Sequence, residues 1–278
     1  MDTLHIDNLG DPVDEWEFQY SHELDWTAYF WPMPSREPPI ASRMATLSLP
    51  QPRIKPQSLE MLLKQTPNLK IPEYGRLDDA PPEKYDLSDL KAALDHVKMT
   101  LTRIMVRFVV GHSLDQLRRE EPRETVHVLS GTLGSFRDYP ALTHLEISLH
   151  ALFGSGGSKR GTPLSAVLPS NIVSLTVTDD LLTFVDFQGC FEDAAAMDIF
   201  RRYLGGACGD KEDHWAVEGE WKAATPCLNT CLYDLRRYGH LGQGYWSSEN
   251  VRSKFKRMCE GQGLEGGVLW VEDKHECE

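Results

Sequence analysis

Basic residues are in short supply. Lys and Arg total 29 against 42 Asp and Glu, a formal net charge of −13. A surface built for nucleic acid or an anionic membrane neutralises phosphates with a basic stripe, so neither is expected as a partner. Long apolar runs are missing as well. The densest, 104–110, is short and broken by Arg107, whereas a bilayer span needs about 18 apolar residues. The opening MDTLHIDNLGDPVDEWEF has neither the basic nor the apolar region of a secretory signal, and no Asn-x-Ser/Thr sequon occurs. Cysteine is sparse and uneven: Cys190, Cys208, Cys227, Cys231, Cys259 and Cys277 all lie in the last third. A disulfide-stapled domain would be smaller and richer in cysteine. Free thiols in a reducing compartment, cytoplasmic or nuclear, are expected instead.

Signatures of catalysis are also lacking. There is no G-x-S-x-G elbow, no H-E-x-x-H, no EF-hand loop and no G-x-G-x-x-G after a strand. The segment GSGGSKRGT (154–162) holds Gly, Lys and Thr but misses the phosphate-loop spacing, and reads as a surface loop. A metal could be sought at Cys227 and Cys231 with His240, or at Cys208 with His214. Structural zinc needs a second ligand pair at matching spacing, and none is present. Cys231 instead falls on an expected core position, where cysteine acts as a small apolar residue. The acidic pair Asp179–Asp180 cannot complete a cation shell alone, so turn or cap duty is expected. No cofactor is implied. Sequence order does not reveal residues assembled in space, so an enzyme on a non-repeat α/β fold stays open, as does a metal-binding domain on the C-terminal cysteines.

What is present is ordinary globular composition, 41% hydrophobic and 26% charged over 278 residues. Collagen-like and wholly disordered chains are thereby excluded, and one or two domains are allowed. One pattern recurs along it: apolar, two free positions, apolar, one free position, apolar. It occurs as MDTLHI (1–6), MATLSL (44–49), LKIPEY (69–74), LTRIMV (101–106), LTHLEI (142–147), IVSLTV (172–177) and LNTCLY (228–233). The alternating end suits a half-buried strand, whose successive side chains face opposite sides of a sheet. Pro67, Pro140, Pro169 and Pro226 stand just before four of these patterns, where a helix must stop and the chain extend.

Helix-period segments lie between. Leu87, Leu90, Leu94 and Val97 share one face, with Asp86 or Ser88 as N-cap; Val251, Phe255 and Met258 share another, opened by Ser247 or Ser248. Residues 58–65 and 191–204 are further helix candidates. The basic run Arg252, Lys254, Lys256 and Arg257 is expected on the solvated side of the last helix.

The order strand, helix, strand predicts an α/β fold with mostly parallel strands on one side and helices on the other. Spacings of 43, 25, 32, 41, 30 and 56 residues between strand centres make it an irregular leucine-rich-repeat-like solenoid. The repeat domain is expected at 44–278, with an insertion near 178–226.

The stretches 58–70, 139–154, 168–181 and 225–241 resemble fungal leucine-rich-repeat proteins of the F-box type. The resemblance covers about residues 44–270, the repeat region, and the F-box segment opening with Leu-Pro-x-Glu is not visible. It implies a non-enzymatic scaffold that binds a protein, the substrate-recognition part of a ubiquitin-ligase receptor whose F-box would dock on the Skp adaptor of a cullin ligase.

Two surfaces are candidates for that partner. Residues 1–40 carry nine acids and one base together with seven aromatic rings, among them Trp26 and Trp31. These rings either anchor a partner or cap the open end of the solenoid, for which 1–43 is the expected segment. The second surface is the outward side of the strands: Arg103, Met105, Arg107, His144, Glu146, Thr176 and Thr178. On this register a charge at Leu145 or Leu175 would unfold the chain. Alanine at Glu146 or Thr176 would change stability by less than about 0.5 kcal/mol.

Overall fold

The computed structural model describes residues 3–5, 40–49, 56–78, 85–110, 129–154, 162–180, 193–205, 219–235, 246 and 248–270. Its strands are β1 (Thr3–His5), β2 (Thr46–Leu49), β3 (Ile71–Asp78), β4 (Tyr85–Asp86), β5 (Arg103–Val110), β6 (Leu129–Ser130), β7 (His144–Ser148), β8 (Ser174–Thr178), β9 (Thr230–Asp234) and β10 (Glu265–Leu269). Its helices are α1 (Pro56–Lys64), α2 (Leu87–Asp95), α3 (Leu149–Phe153), α4 (Asp193–Leu204), α5 (Trp221–Ala224) and α6 (Glu249–Gly261). Eight strands form one open parallel sheet in the order β1-β2-β3-β5-β7-β8-β9-β10, and β4 pairs with β6 in a separate ribbon.

All seven patterned segments are strands of this sheet, laid side by side in the order of the chain. Their register never slips. His5, Ser48, Glu73, Met105, Glu146, Thr176, Leu232 and Gly267 form one continuous row across it.

Repeated backbone bonding at the heads of five strands explains that regularity from β2 to β9. The carbonyl of Ala45 accepts the N–H groups of both Lys70 (2.9 Å) and Ile71 (3.1 Å). Lys70 does the same for Thr102 and Arg103, Thr102 for Thr143 and His144, Thr143 for Val173 and Ser174, and Val173 for Asn229 and Thr230. A carbonyl has two lone pairs, so each fork ties two donors of the next unit to one acceptor of the last.

Just upstream, a tight turn presents the core residue. Leu69 donates to Thr66, Leu142 to Tyr139, Ile172 to Pro169 and Leu228 to Thr225. Pro67, Pro140 and Pro226 occupy the second place of three of these turns, where a fixed φ is an advantage. Side chains sew successive turns together: Asn68 Nδ2 donates to the Ser42 carbonyl at 2.8 Å, Thr100 Oγ1 to the Leu69 carbonyl at 2.7 Å, and Asn171 Nδ2 to the Pro140 carbonyl at 2.7 Å.

Alternate strand residues fill one core. Leu47, Leu49, Tyr74, Ile104, Val106, Leu145, Ile147, Leu175, Val177, Cys231 and Tyr233 are buried in a single cluster with Leu59 and Leu63 of α1, Leu90 and Leu94 of α2, Phe200 and Tyr203 of α4, and Val251 and Phe255 of α6. The helices therefore pack on the face to which these strand residues point. A sheet whose strand order never reverses puts crossovers of one hand on one face. At the far end, Phe200, Tyr233, Trp246 and Phe255 stack with ring centroids 4.7–5.9 Å apart.

Expected caps and ends are close to those observed. Asp86 caps α2 by accepting from the Ser88 N–H at 2.7 Å. Gly131 packs on this cap, since a Cβ there would stand 2.0 Å from Asp86 Oδ1, and its φ is +71°. Residues 191–204 and 58–65 match α4 and α1 to within two residues. The strand of this sheet that sequence pattern did not show is β10. Its residue in the core row is Gly266, which carries no apolar side chain to read.

Leu175→Asp is expected to abolish the cooperative thermal transition, because Leu175 is fully buried at the centre of the sheet. Thr176→Ala, one residue away on the opposite face, should shift the unfolding free energy in urea by less than about 0.5 kcal/mol.

Candidate functional site

The sheet face opposite the helices is where the sequence placed its partner-binding residues. In its two middle rows Arg103 is exposed, and Met105, His144, Glu146, Ser174, Thr176, Thr230 and Leu232 are half-buried, as is Arg107 in the next row of β5. Arg103, His144, Ser174 and Thr230 are successive register partners, and Met105, Glu146, Thr176 and Leu232 form the next row. The structure thus brings Arg103, Arg107, His144, Glu146 and Thr176 together on one surface.

Charges on this surface are largely paired. Arg107 places both Nε and Nη2 against Glu146 Oε1 across the diagonal between β5 and β7. Ser48 Oγ donates to Glu73 Oε2 at 2.8 Å. The His144 imidazole is held below its usual range, first by partial burial and second by the neighbouring Arg103 guanidinium. Its Nδ1 lies 2.9 Å from Thr143 Oγ1.

Thr178 departs from the expectation of an outward, accessible residue. It is buried, as are its register partners Ser148 and Asp234 in the row at the carboxyl end of the sheet. Its hydroxyl donates to Asp180 Oδ1 at 2.5 Å instead of facing solvent. Trp26 and Trp31 lie outside the described residues, as do His214, His240, Cys208 and residues 155–161.

The carboxyl end of the sheet has a polar layer that sequence reading assigned only to turn or cap duty. Its cause is a break in pairing. β3 and β5 stay paired as far as Asp78 and Val110, but β5 and β7 part after Met105 and Glu146. The chain leaves β7 at Ser148, whose Oγ accepts the Ala151 N–H at 3.0 Å and starts α3. The second half of β5 therefore lacks β7 as a ladder partner. Asp180 compensates: its Oδ2 accepts the buried Phe108 N–H at 2.5 Å while Oδ1 takes the Thr178 hydroxyl. The carboxylate acts as a substitute strand, and a buried charge with two donors is far cheaper to keep than an unpaired one. Asp179 and His150 are buried in the same stretch of chain ends. Burial drives the His150 imidazole down to about 3, so it is neutral at pH 7.

Among the described residues no three His, Cys, Asp or Glu side chains gather as a metal site. No helix among them is long and apolar enough to cross a membrane. The comparisons add no further constraint. No protein family matches the chain, nor does any curated protein or solved structure. The site is thus defined by its own geometry: an open, mixed-polarity sheet face, closed at its carboxyl end by buried acids. The described cysteines are split, with Cys227 exposed and Cys231 and Cys259 in the core.

Glu146→Ala now carries a larger expected cost than its surface position implied, because it strands a partly buried Arg107. Destabilisation of about 1 kcal/mol is expected in urea. A double-mutant cycle with Arg107→Ala should give a coupling energy of about 0.5–1 kcal/mol that shrinks in high salt. Asp180→Ala should cost about 2–3 kcal/mol by orphaning the Phe108 N–H, with Asp180→Asn milder because it keeps an acceptor. For His150, the folded pKa lies below the unfolded one, so the unfolded chain binds the extra proton. Its contribution to stability is complete above pH 6.5 and is lost as pH falls toward about 3. His150→Gln should flatten the decline in unfolding free energy over that window by up to about 1.4 kcal/mol per pH unit.

Proposed function

We propose that the chain is a non-enzymatic protein-binding scaffold of the leucine-rich-repeat-like solenoid type, with the open sheet face as its contact surface. The observation that carries this reading is the unbroken register across eight parallel strands, six of which, β2, β3, β5, β7, β8 and β9, are joined by the same forked carbonyl at successive strand heads. Such a stack presents outward side chains in straight rows on a surface clear of the crossover helices, the arrangement repeat proteins use for extended partners. Arg103, Met105, Arg107, His144, Glu146, Thr176 and Leu232 would meet the partner; Arg and the apolar Met and Leu supply contact, and the paired charges set register.

Strand order also bears on the enzymatic alternative. Open α/β sheets bind nucleotides and small substrates in the crevice where strand order reverses. Among the described residues the strand order of this sheet does not reverse. The buried Asp180 at its carboxyl end serves backbone satisfaction through its bond to the Phe108 N–H.

The resemblance to fungal F-box-type repeat proteins extends the reading: the partner would be a substrate handed to a cullin ubiquitin ligase through the Skp adaptor. The test uses tagged full-length protein, recovered from its native cells under mild salt alongside two variants. Arg103→Glu with Thr176→Arg alters the open face; Lys256→Glu alters the solvated side of α6, where Lys256 is exposed. A partner held by the parent and by Lys256→Glu, but weakened tenfold or more by the face variant with an unchanged melting curve, is the expected result. Equal recovery with the face variant would move the interface elsewhere. Skp and cullin in the same eluate would support the ligase role, and a stable partner without them would remove it.

A further inference from the structure

Cys231 lies in β9 and Cys259 in α6, and neither side chain reaches solvent. Their relation follows from Gly266. Cys231 and Gly266 are register partners on the neighbouring parallel strands β9 and β10, so both core-facing positions stand side by side, about 4.8 Å apart. A Cβ added at Gly266 would lie 2.5 Å from both Cβ and Sγ of Cys259. The Cys259 side chain therefore occupies the space that a residue beside Cys231 would fill. Its Sγ is 3.9 Å from the Cys231 carbonyl oxygen. A disulfide requires Cβ atoms about 3.5–4.5 Å apart, close to the spacing of strand neighbours on one face.

We propose that Cys231 and Cys259 are a redox modification site, closing to a disulfide under a peroxide and thereby joining β9 to α6 over Gly266. The two sulfurs divide the labour. The Cys259 thiol, which donates to the Cys231 carbonyl, is held below the usual thiol range first by its interaction with the Cys231 side chain, and the same interaction together with burial leaves Cys231 well above it. Cys259 is thus the attacking sulfur and Cys231 the resolving one.

In the first step the Cys259 thiolate attacks one peroxide oxygen. The O–O bond breaks, Cys259 becomes a sulfenic acid, and the departing hydroxide leaves as water with the proton given up by the thiol. In the second step Cys231 sulfur attacks the Cys259 sulfur, the S–O bond breaks, and the hydroxyl leaves as water with the Cys231 proton. Two thiols and one hydrogen peroxide become one disulfide and two waters. Access comes from opening of the terminal unit: only β10 lies beyond β9 in the sheet, and end units open at lower cost than the whole.

The test treats full-length protein with hydrogen peroxide, blocks remaining thiols, digests without reductant and maps peptides by mass. The expected product is a single crosslinked pair containing Cys231 and Cys259, lighter by two hydrogen atoms than the separate peptides and released by dithiothreitol. Its formation should raise the thermal midpoint. Cys231→Ser should stop at a sulfenic acid on Cys259, captured by a dimedone-type reagent, and Cys259→Ser should form no crosslink to Cys231. Exposed Cys227 serves as the internal control for reagent access. Consumption of Cys227 while Cys231 and Cys259 stay alkylatable after unfolding would overturn the proposal, as would a crosslink from either one to a different cysteine.

Discussion

One backbone carbonyl at the head of each of β2, β3, β5, β7 and β8 holds two N–H groups of the unit that follows. Ala45, Lys70, Thr102, Thr143 and Val173 all perform this function. The fork leaves no freedom of register, because shifting the next strand by a residue would break both bonds and turn its apolar set to the wrong face. Spacings of 25 to 56 residues between strand centres therefore leave the register unchanged. The sheet itself keeps its rows.

The same constraint explains why the two faces differ. Strands added always on the same side, with crossovers of one hand, send every helix to one face. That face holds Leu59, Leu90, Phe200 and Phe255 against Leu47, Ile104, Leu175 and Tyr233. The opposite face keeps polar rows whose charges pair across strands, as Arg107 does with Glu146. Where β7 turns away into α3, the pairing rule is broken and β5 loses a neighbour. A single carboxylate, Asp180, then stands in for the missing strand. The closed carboxyl end and the open middle rows are two results of one pairing pattern.

The proposed contact surface rests on this asymmetry more than on any single residue. The Arg107–Glu146 pair, His144 held below its usual range beside Arg103, and the half-buried Met105 and Leu232 make a surface of modest polarity. The core beneath it carries the thiol pair of Cys231 and Cys259 in the last described units.

By itself, the sequence determined the strands and their faces. An apolar residue at the turn and two more at alternate positions, preceded by proline, are local requirements of a turn and a half-buried strand, so they can be read without a partner in view. Leu145, Leu175 and Cys231 were legible as core for this reason, and Glu146 and Thr176 as outward. Cap residues such as Asp86 were legible too, since their partners lie two residues away. The tertiary structure alone decided what happens where strands part. Thr178 follows the outward alternation yet is buried, and Asp180 meets a backbone donor 72 residues upstream. β10 escaped the pattern because Cys259, from a helix, fills the place of the side chain Gly266 lacks. In each case the deciding neighbour comes from a distant part of the chain, and its contact depends on the register of several strands at once, which no local pattern records.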